Sequence, residues 1–339
     1  MVRYELSYEK AREVIPILVN AYKNKKGLFG YNEIFPELPL PKNITWNSYD
    51  HFNWWFVTVL SDHSTSSVHT YEKSRQLHDK IIKDNLPNIF DPKIVTSLDL
   101  ECIDITLKKM CHGANNHPLA LKDNSIRLVN EYDGNPKNIF DGVLDIRNAQ
   151  STLMTFKRFA ESLTGLYLTY VVKYGLAKFE NREELLVKVE HHDIRISEAL
   201  GIIKTNHTKI PHDSISIKLS EFFRDMCIEL NIDVIDLDSA LWALGRYGCS
   251  LKDEMHCKSI CSLYELCDRE NMFGSYYKSG NMKKGEYWKR KPLQQILGFS
   301  QDEIKPKRLF DKSGIKLSDS NEKPSIDNNV EKLSLFENE

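Results

Sequence analysis

The chain has 339 residues, 46 basic against 48 acidic, for a net charge of -2. That length buries a large core and allows two domains with a short tail, while the balanced charge means that any nucleic-acid-binding face must be local. No run of eighteen apolar residues occurs and the opening Met1-Val2-Arg3-Tyr4-Glu5 is too charged for an export signal, so the sequence predicts a soluble cytoplasmic protein without membrane contact.

Helix dominates from the start. Residues 8–24 place Ala11, Val14, Ile15, Ile17 and Leu18 at helical spacing, and 72–84 and 98–111 repeat the pattern. Pro36, Pro39 and Pro41 make 28–46 an irregular connector. The aromatic segment Trp46 to Leu60, with His51-Phe52-Asn53-Trp54-Trp55-Phe56-Val57, is either a buried helix or a helix with one indole edging a pocket where a base stacks. Residues 152–174 are strongly helical and carry Phe156-Lys157-Arg158-Phe159 and Ser162-Leu163-Thr164-Gly165-Leu166-Tyr167. Next comes Glu190-His191-His192-Asp193-Ile194-Arg195-Ile196, leading into a helix through Leu200. An aspartate at a helix start can be kept ionised by capping amides and the dipole, and Asp193 reads either as such a functional carboxylate or as a plain N-cap. Strand-like alternation is scarce and no internal repeat is evident.

Four cysteines then follow Arg246-Tyr247-Gly248: Cys249, Cys257, Cys261 and Cys267, with seven, three and five residues between them. In a cytosolic chain such thiols stay reduced, and one compact loop with four ligands suits a [4Fe-4S] cluster better than zinc, whose ligands usually come as two tight knuckles far apart. Zinc and four free core cysteines remain the alternatives. Cys102, Cys111 and Cys227 are scattered and read as small core residues.

The run Leu241-Trp242-Ala243-Leu244-Gly245-Arg246-Tyr247-Gly248-Cys249, closed by the other three cysteines, resembles the cluster loop of the endonuclease III branch of the helix-hairpin-helix DNA glycosylases. The family spacing is C-x6-C-x2-C-x5-C, one residue shorter in each of the first two gaps. The resemblance implies a mainly α, two-lobed helical glycosylase-like fold with a C-terminal [4Fe-4S] cluster loop. The family hairpin, Leu-Pro-Gly-Val-Gly, brings backbone amides to a phosphate; matched here to 162–167, it keeps only Gly165, with Thr164 in place of proline and Tyr167 in place of the second glycine. A plain amphipathic helix is the other reading of that stretch. The essential aspartate of the family opens a helix in a pattern like Val-Asp-x-His-x-x-Arg, which is matched to Asp193 with Arg195 as its orienting or phosphate-binding partner. Lys157, Arg158, Gly165 and Arg246 are the implied DNA contacts. The lyase lysine has Leu168-Thr169-Tyr170 in its place, and Lys157 and Lys173 lack motif support, so a monofunctional enzyme is implied. A second, diffuse similarity, through Trp55 to Thr58, Asp193 to Ile196, the helix from Ile217 to Leu230 and Leu237-Asp238-Ser239-Ala240-Leu241-Trp242, is to the queuosine-nucleotide glycosidases, which share the scaffold but act on a free nucleotide.

Between Tyr277 and Arg308 basic residues, among them Lys289, Arg290 and Lys291, outnumber acidic ones around Tyr287 and Trp288, a mixture suited to phosphate contact and stacking, or to a solvated extension. Residues 311–330 have the composition of a disordered tether. It ends in Lys332-Leu333-Ser334-Leu335-Phe336, which resembles the bacterial sliding-clamp motif, with Leu333, Leu335 and Phe336 as the pocket-filling residues and lysine in place of glutamine. The expected organisation is an N-terminal helical region (1–145), a glycosylase-like domain (146–270) with its cluster loop at 249–267, a basic extension (271–310) and a tail (311–339). The expected activity is excision of a damaged or modified DNA base in a bacterial, nucleoid-associated setting. A nucleotide N-glycosidase, a non-catalytic iron-sulfur DNA-binding protein and a zinc-stabilised clamp adaptor remain the alternatives.

Overall fold

A computed structural model describes residues 4–30, 40–62, 67–110, 117–205, 212–249 and 254–269. In chain order the elements are β1 (Tyr4–Leu6), α1 (Tyr8–Lys23), α2 (Tyr49–Leu60), α3 (Ser67–Asp84), α4 (Pro92–Val95), α5 (Leu100–Leu107), α6 (His117–Tyr132), α7 (Ile146–Met154), α8 (Glu161–Lys173), α9 (His191–Ala199), β2 (Ile203–Thr205), α10 (His212–Leu230), α11 (Val234–Ala243) and α12 (Glu254–Ile260). The protein is mainly helical. Among the described residues no helix is long and apolar enough to cross a membrane.

Local chemistry sets the helix starts. Ser7, Ser48, Asp91, Asp99, Asp145 and Asp233 each stand in extended backbone just before a helix and accept a first-turn amide on the side chain. Each such cap is worth about 1 kcal/mol over alanine.

The described residues form two compact units, one of residues 4–30 with 186–269, the other of residues 40–185. The division falls at 185/186, and the N-terminal helix belongs with the C-terminal half. The reason lies in two pairings that local sequence does not announce. β1 runs antiparallel to β2, with Tyr4 opposite Thr205 and Leu6 opposite Ile203, and the Ser7 amide continues the seam by donating to the Ile202 carbonyl at 2.7 Å. α1 then buries Ala11, Val14, Ile15, Leu18 and Val19, packing on α10 and α11.

The unit of 40–185 is built around α2, in which every residue from His51 to Leu60 is buried. A helix that is apolar all round belongs at a centre, and here α3, α6, α8 and the turn Pro136–Phe140 surround it. Trp54 and Trp55 are 0% and 1% exposed, so the aromatic segment is core and neither indole edges a pocket. Trp55 stacks on Tyr170 with centroids 3.9 Å apart, and Tyr170 Oη lies 2.6 Å from His51 Nε2. The Asn47 amide donates to His51 Nδ1 at 3.0 Å, so the ring is neutral with its proton on Nε2.

Candidate functional site

Residues 152–174 are not one helix. α7 ends at Met154 and α8 begins at Glu161, and between them the chain turns on two buried anchors, Phe156 and Phe159. Arg158 takes a left-handed backbone at φ 71°, a conformation a glycine would adopt more easily. Asn124 of α6 clamps the turn by accepting the Lys157 amide at 2.8 Å and donating to the Lys157 carbonyl at 3.0 Å. The Arg127 guanidinium covers the Phe156 ring at 4.4 Å. Lys157 is exposed, and Ala160 precedes α8 without a side-chain cap. The helix–turn–helix element thus lies at 155–160, not at 162–167. Gly165, expected to meet a phosphate, is buried inside α8 and is not part of the turn. The turn carries no glycine or proline, so the apolar spacing of Phe156 and Phe159 hid it.

The other unit holds the α9 site. Glu190 stands in extended backbone as the residue before α9, and its amide donates to Asp193 Oδ2 at 2.7 Å. Asp193 is only 8% exposed, and burial pushes its carboxyl well above the usual carboxylate range. Asp193 thus stands in the first turn of α9 with its carboxyl tied to the Glu190 amide, as in a capping box. Glu190, three residues earlier, keeps 38% of its side chain exposed and pairs with Lys188 Nζ at 2.5 Å. The Lys188 charge holds Glu190 down to about 2 despite partial burial, so this carboxylate is ionised at neutral pH. Val189-Glu190-His191-His192-Asp193-Ile194-Arg195 fits Val-acid-x-His-x-x-Arg without a gap, with glutamate in the aspartate position.

Arg195 is 0% exposed and cannot reach a phosphate on the surface. Its Nη2 lies 2.9 Å from His192 Nδ1. Arg246, half-buried, sits in the widened turn Leu244–Gly248 that closes α11 and leads into Cys249.

The four cysteines converge. The widened turn presents Cys249, α12 presents Cys257, Cys261 follows at the α12 end with its amide on the Cys257 carbonyl at 2.9 Å, and Cys267 follows the turn Tyr264–Leu266. All four line one recess with Ile196 of α9, Leu200 just beyond its end, Leu244 and Leu263. Burial pushes Cys249 above the ordinary thiol range and Cys267 up to about 12, while Cys261, hydrogen-bonded by Cys257, is lowered. Burial disfavours the thiolates of Cys249 and Cys267 unless a cation compensates them, so the donor set is chemically suited to a metal centre. Among the described residues no group of three or more His, Cys, Asp or Glu is arranged to hold a metal ion.

The loop is fastened from both ends. The Asp268 amide donates to the Ala199 carbonyl of α9 at 2.7 Å, and Arg269 Nη1 donates to the carbonyls of Tyr264 and Cys267 at 3.2 and 3.3 Å. Gly27, at φ 55°, lets the turn after α1 come so close that a Cβ there would stand 2.2 Å from the Ile260 carbonyl oxygen. Cys227 is buried alone in α10 and Cys102 belongs to the other unit. Cys111, Lys289, Arg290, Lys291, Leu333, Leu335 and Phe336 lie outside the described residues.

No protein-family model matches the chain, and no curated protein matches it.

Proposed function

We propose that the chain is a monofunctional N-glycosylase acting on DNA, with Glu190 as its working carboxylate and a [4Fe-4S] cluster held by Cys249, Cys257, Cys261 and Cys267. The observation that carries this reading is the pairing of two features along α9 and the residues that cap its two ends. A half-exposed carboxylate held ionised by Lys188 sits at the start of α9, and Ile196 of α9 and Leu200 just beyond its end line the cysteine recess.

The chemistry follows from the charge. As the bond between C1′ and the base nitrogen breaks, the electron pair leaves with the base and positive charge develops on the sugar. The Glu190 carboxylate stabilises that charge and orients the water whose oxygen bonds to C1′, taking up its proton. Lys188 keeps Glu190 deprotonated, and Asp193 holds the Glu190 backbone in place. An iron–sulfur cluster bound by the four thiolates supplies cross-links that fix the loop against α9. The turn at 155–160, with exposed Lys157 and the uncapped start of α8, is suited to a DNA phosphate, which favours DNA over a free nucleotide. The basic extension, and clamp binding through residues 332–336, belong to this proposal on sequence alone.

The test is base release, read by mass spectrometry, from a panel of damaged and modified duplexes and free nucleotides. Release from duplex DNA that is lost in Glu190→Gln and kept in Asp193→Asn supports the assignment. Release from nucleotides alone moves the protein to salvage chemistry, and release by neither makes it a binding module.

A further inference from the structure

We infer that Arg269 is a positioning residue for the metal centre: its guanidinium fastens the turn that carries Cys261 and Cys267 and supplies positive charge that offsets the bound thiolates. This rests on the metal-centre part of the reading above and not on the glycosidic chemistry.

The segment from Cys261 to Cys267 is wound about Tyr264. The Tyr264 amide donates to the Cys261 carbonyl at 3.2 Å, and the Tyr264 carbonyl accepts the Cys267 amide at 3.3 Å. Arg269 Nη1 donates to that same Tyr264 carbonyl at 3.2 Å and to the Cys267 carbonyl at 3.3 Å. Its guanidinium carbon lies 4.3 Å from the centre of the Tyr264 ring. The backbone next to Arg269 has its own anchor, the Asp268 amide on the Ala199 carbonyl at 2.7 Å. The side chain therefore folds back from a fixed point onto the turn between two ligands. A planar guanidinium stacks on a ring and donates from its edge at the same time, a combination that an ammonium does not reproduce.

The charge has a separate consequence. Four thiolates together outweigh a divalent zinc ion or a doubly charged iron–sulfur core, so the occupied site is net negative with either metal and a nearby cation is favourable. The Arg269 charge acts on both Cys261 and Cys267, where Asp268 opposes it at Cys267, and the Arg195 charge acts on Cys249. The two cations thus serve different parts of the ligand set. Arg195 is 0% exposed within α9, whereas Arg269 is half-buried beyond the last cysteine. Arg269 can therefore be replaced without opening a hole in the core, which makes it the informative one to change.

Two measurements on the full chain, purified without oxygen, test this. The first is the rate at which its metal passes to an excess of chelator. Arg269→Gln, which keeps a donor amide but no charge, is expected to release metal about tenfold faster than wild type, and Arg269→Lys, which keeps the charge but not the planar group, about threefold faster. Release from Arg269→Gln at the wild-type rate overturns the inference, and release from Arg269→Lys as fast as from Arg269→Gln overturns its charge half. The second, for an iron–sulfur centre, is the reduction midpoint. Losing a nearby positive charge disfavours the added electron, so Arg269→Gln is expected to shift the midpoint to more negative values and Arg269→Lys to leave it near wild type. A residue that only fastened the turn would speed release and leave the midpoint unmoved in both variants. Wild-type protein that carries neither iron nor zinc overturns the metal centre and this inference together, whereas protein that holds metal but releases no base leaves this inference standing.

Discussion

Two carboxylates three residues apart illustrate how environment divides roles. Asp193 accepts the Glu190 amide from inside the helix start, and its burial favours the protonated form. A folded-state pKa above the unfolded value contributes stability below the unfolded pKa, near 4, that is lost as pH rises through the folded one. The protonated Asp193 carboxyl therefore favours the fold and that contribution fades as pH rises, so Asp193→Asn, which still offers an acceptor oxygen, is expected to remove this part of the pH dependence of the thermal midpoint; an unchanged dependence would count against the capping role. His51 works in the opposite sense. Burial lowers its pKa to about 3, so the unfolded chain binds the extra proton first, and stability is present above about 6.5 and lost as pH falls towards 3. The expected slope is up to about 1.4 kcal/mol per pH unit below 6. Denaturant unfolding at pH 7 and pH 5 should show this loss in wild type and a smaller one in His51→Gln.

At the scale of elements, the turn at 155–160 depends on Asn124, whose amide satisfies both backbone groups of Lys157. Asn124→Ala leaves those groups without their protein partner, so a destabilisation of about 1–3 kcal/mol is expected in denaturant unfolding. On the proposed function, DNA affinity should fall as well, with the turn no longer held in its left-handed step at Arg158. Gly27→Ala should be costlier to the cysteine loop than any exposed substitution, because the clash is with the Ile260 backbone and the φ of 55° is itself unfavourable for alanine. These examples also show what the sequence could and could not disclose. α1, α2, α9 and the cysteine loop were legible because their signals are local: apolar spacing, an all-apolar run, and four thiols in nineteen residues. The break between α7 and α8 was not, since the left-handed position is filled by Arg158 and the clamp comes from Asn124, more than thirty residues away. The difference between Asp193 and Glu190 was not legible for another reason: both acids stand at the start of α9, and burial and the Lys188 pairing separate them only in the fold.

At the scale of the whole molecule, the pairing of β1 with β2 and the packing of α1 on α10 and α11 put both ends of the described chain into one unit, and Cys249, Cys257, Cys261 and Cys267 all belong to it. The other unit has its own core around α2 and contributes no residue to the recess. If a metal centre ties Cys249, Cys257, Cys261 and Cys267 together, its removal takes away cross-links from one unit only, because binding free energy to a folded ligand set is folding free energy for that set. Chelation or oxidative loss of the centre should therefore collapse amide-exchange protection in α1, α9, α11 and α12 first, while α2 and α8 keep theirs, and unfolding should change from one transition to two. The anaerobically purified protein should be brown and carry iron and sulfide in place of zinc. Uniform loss of protection across both units would show that the two fold as one, and unchanged protection would show that the thiols hold nothing the fold requires.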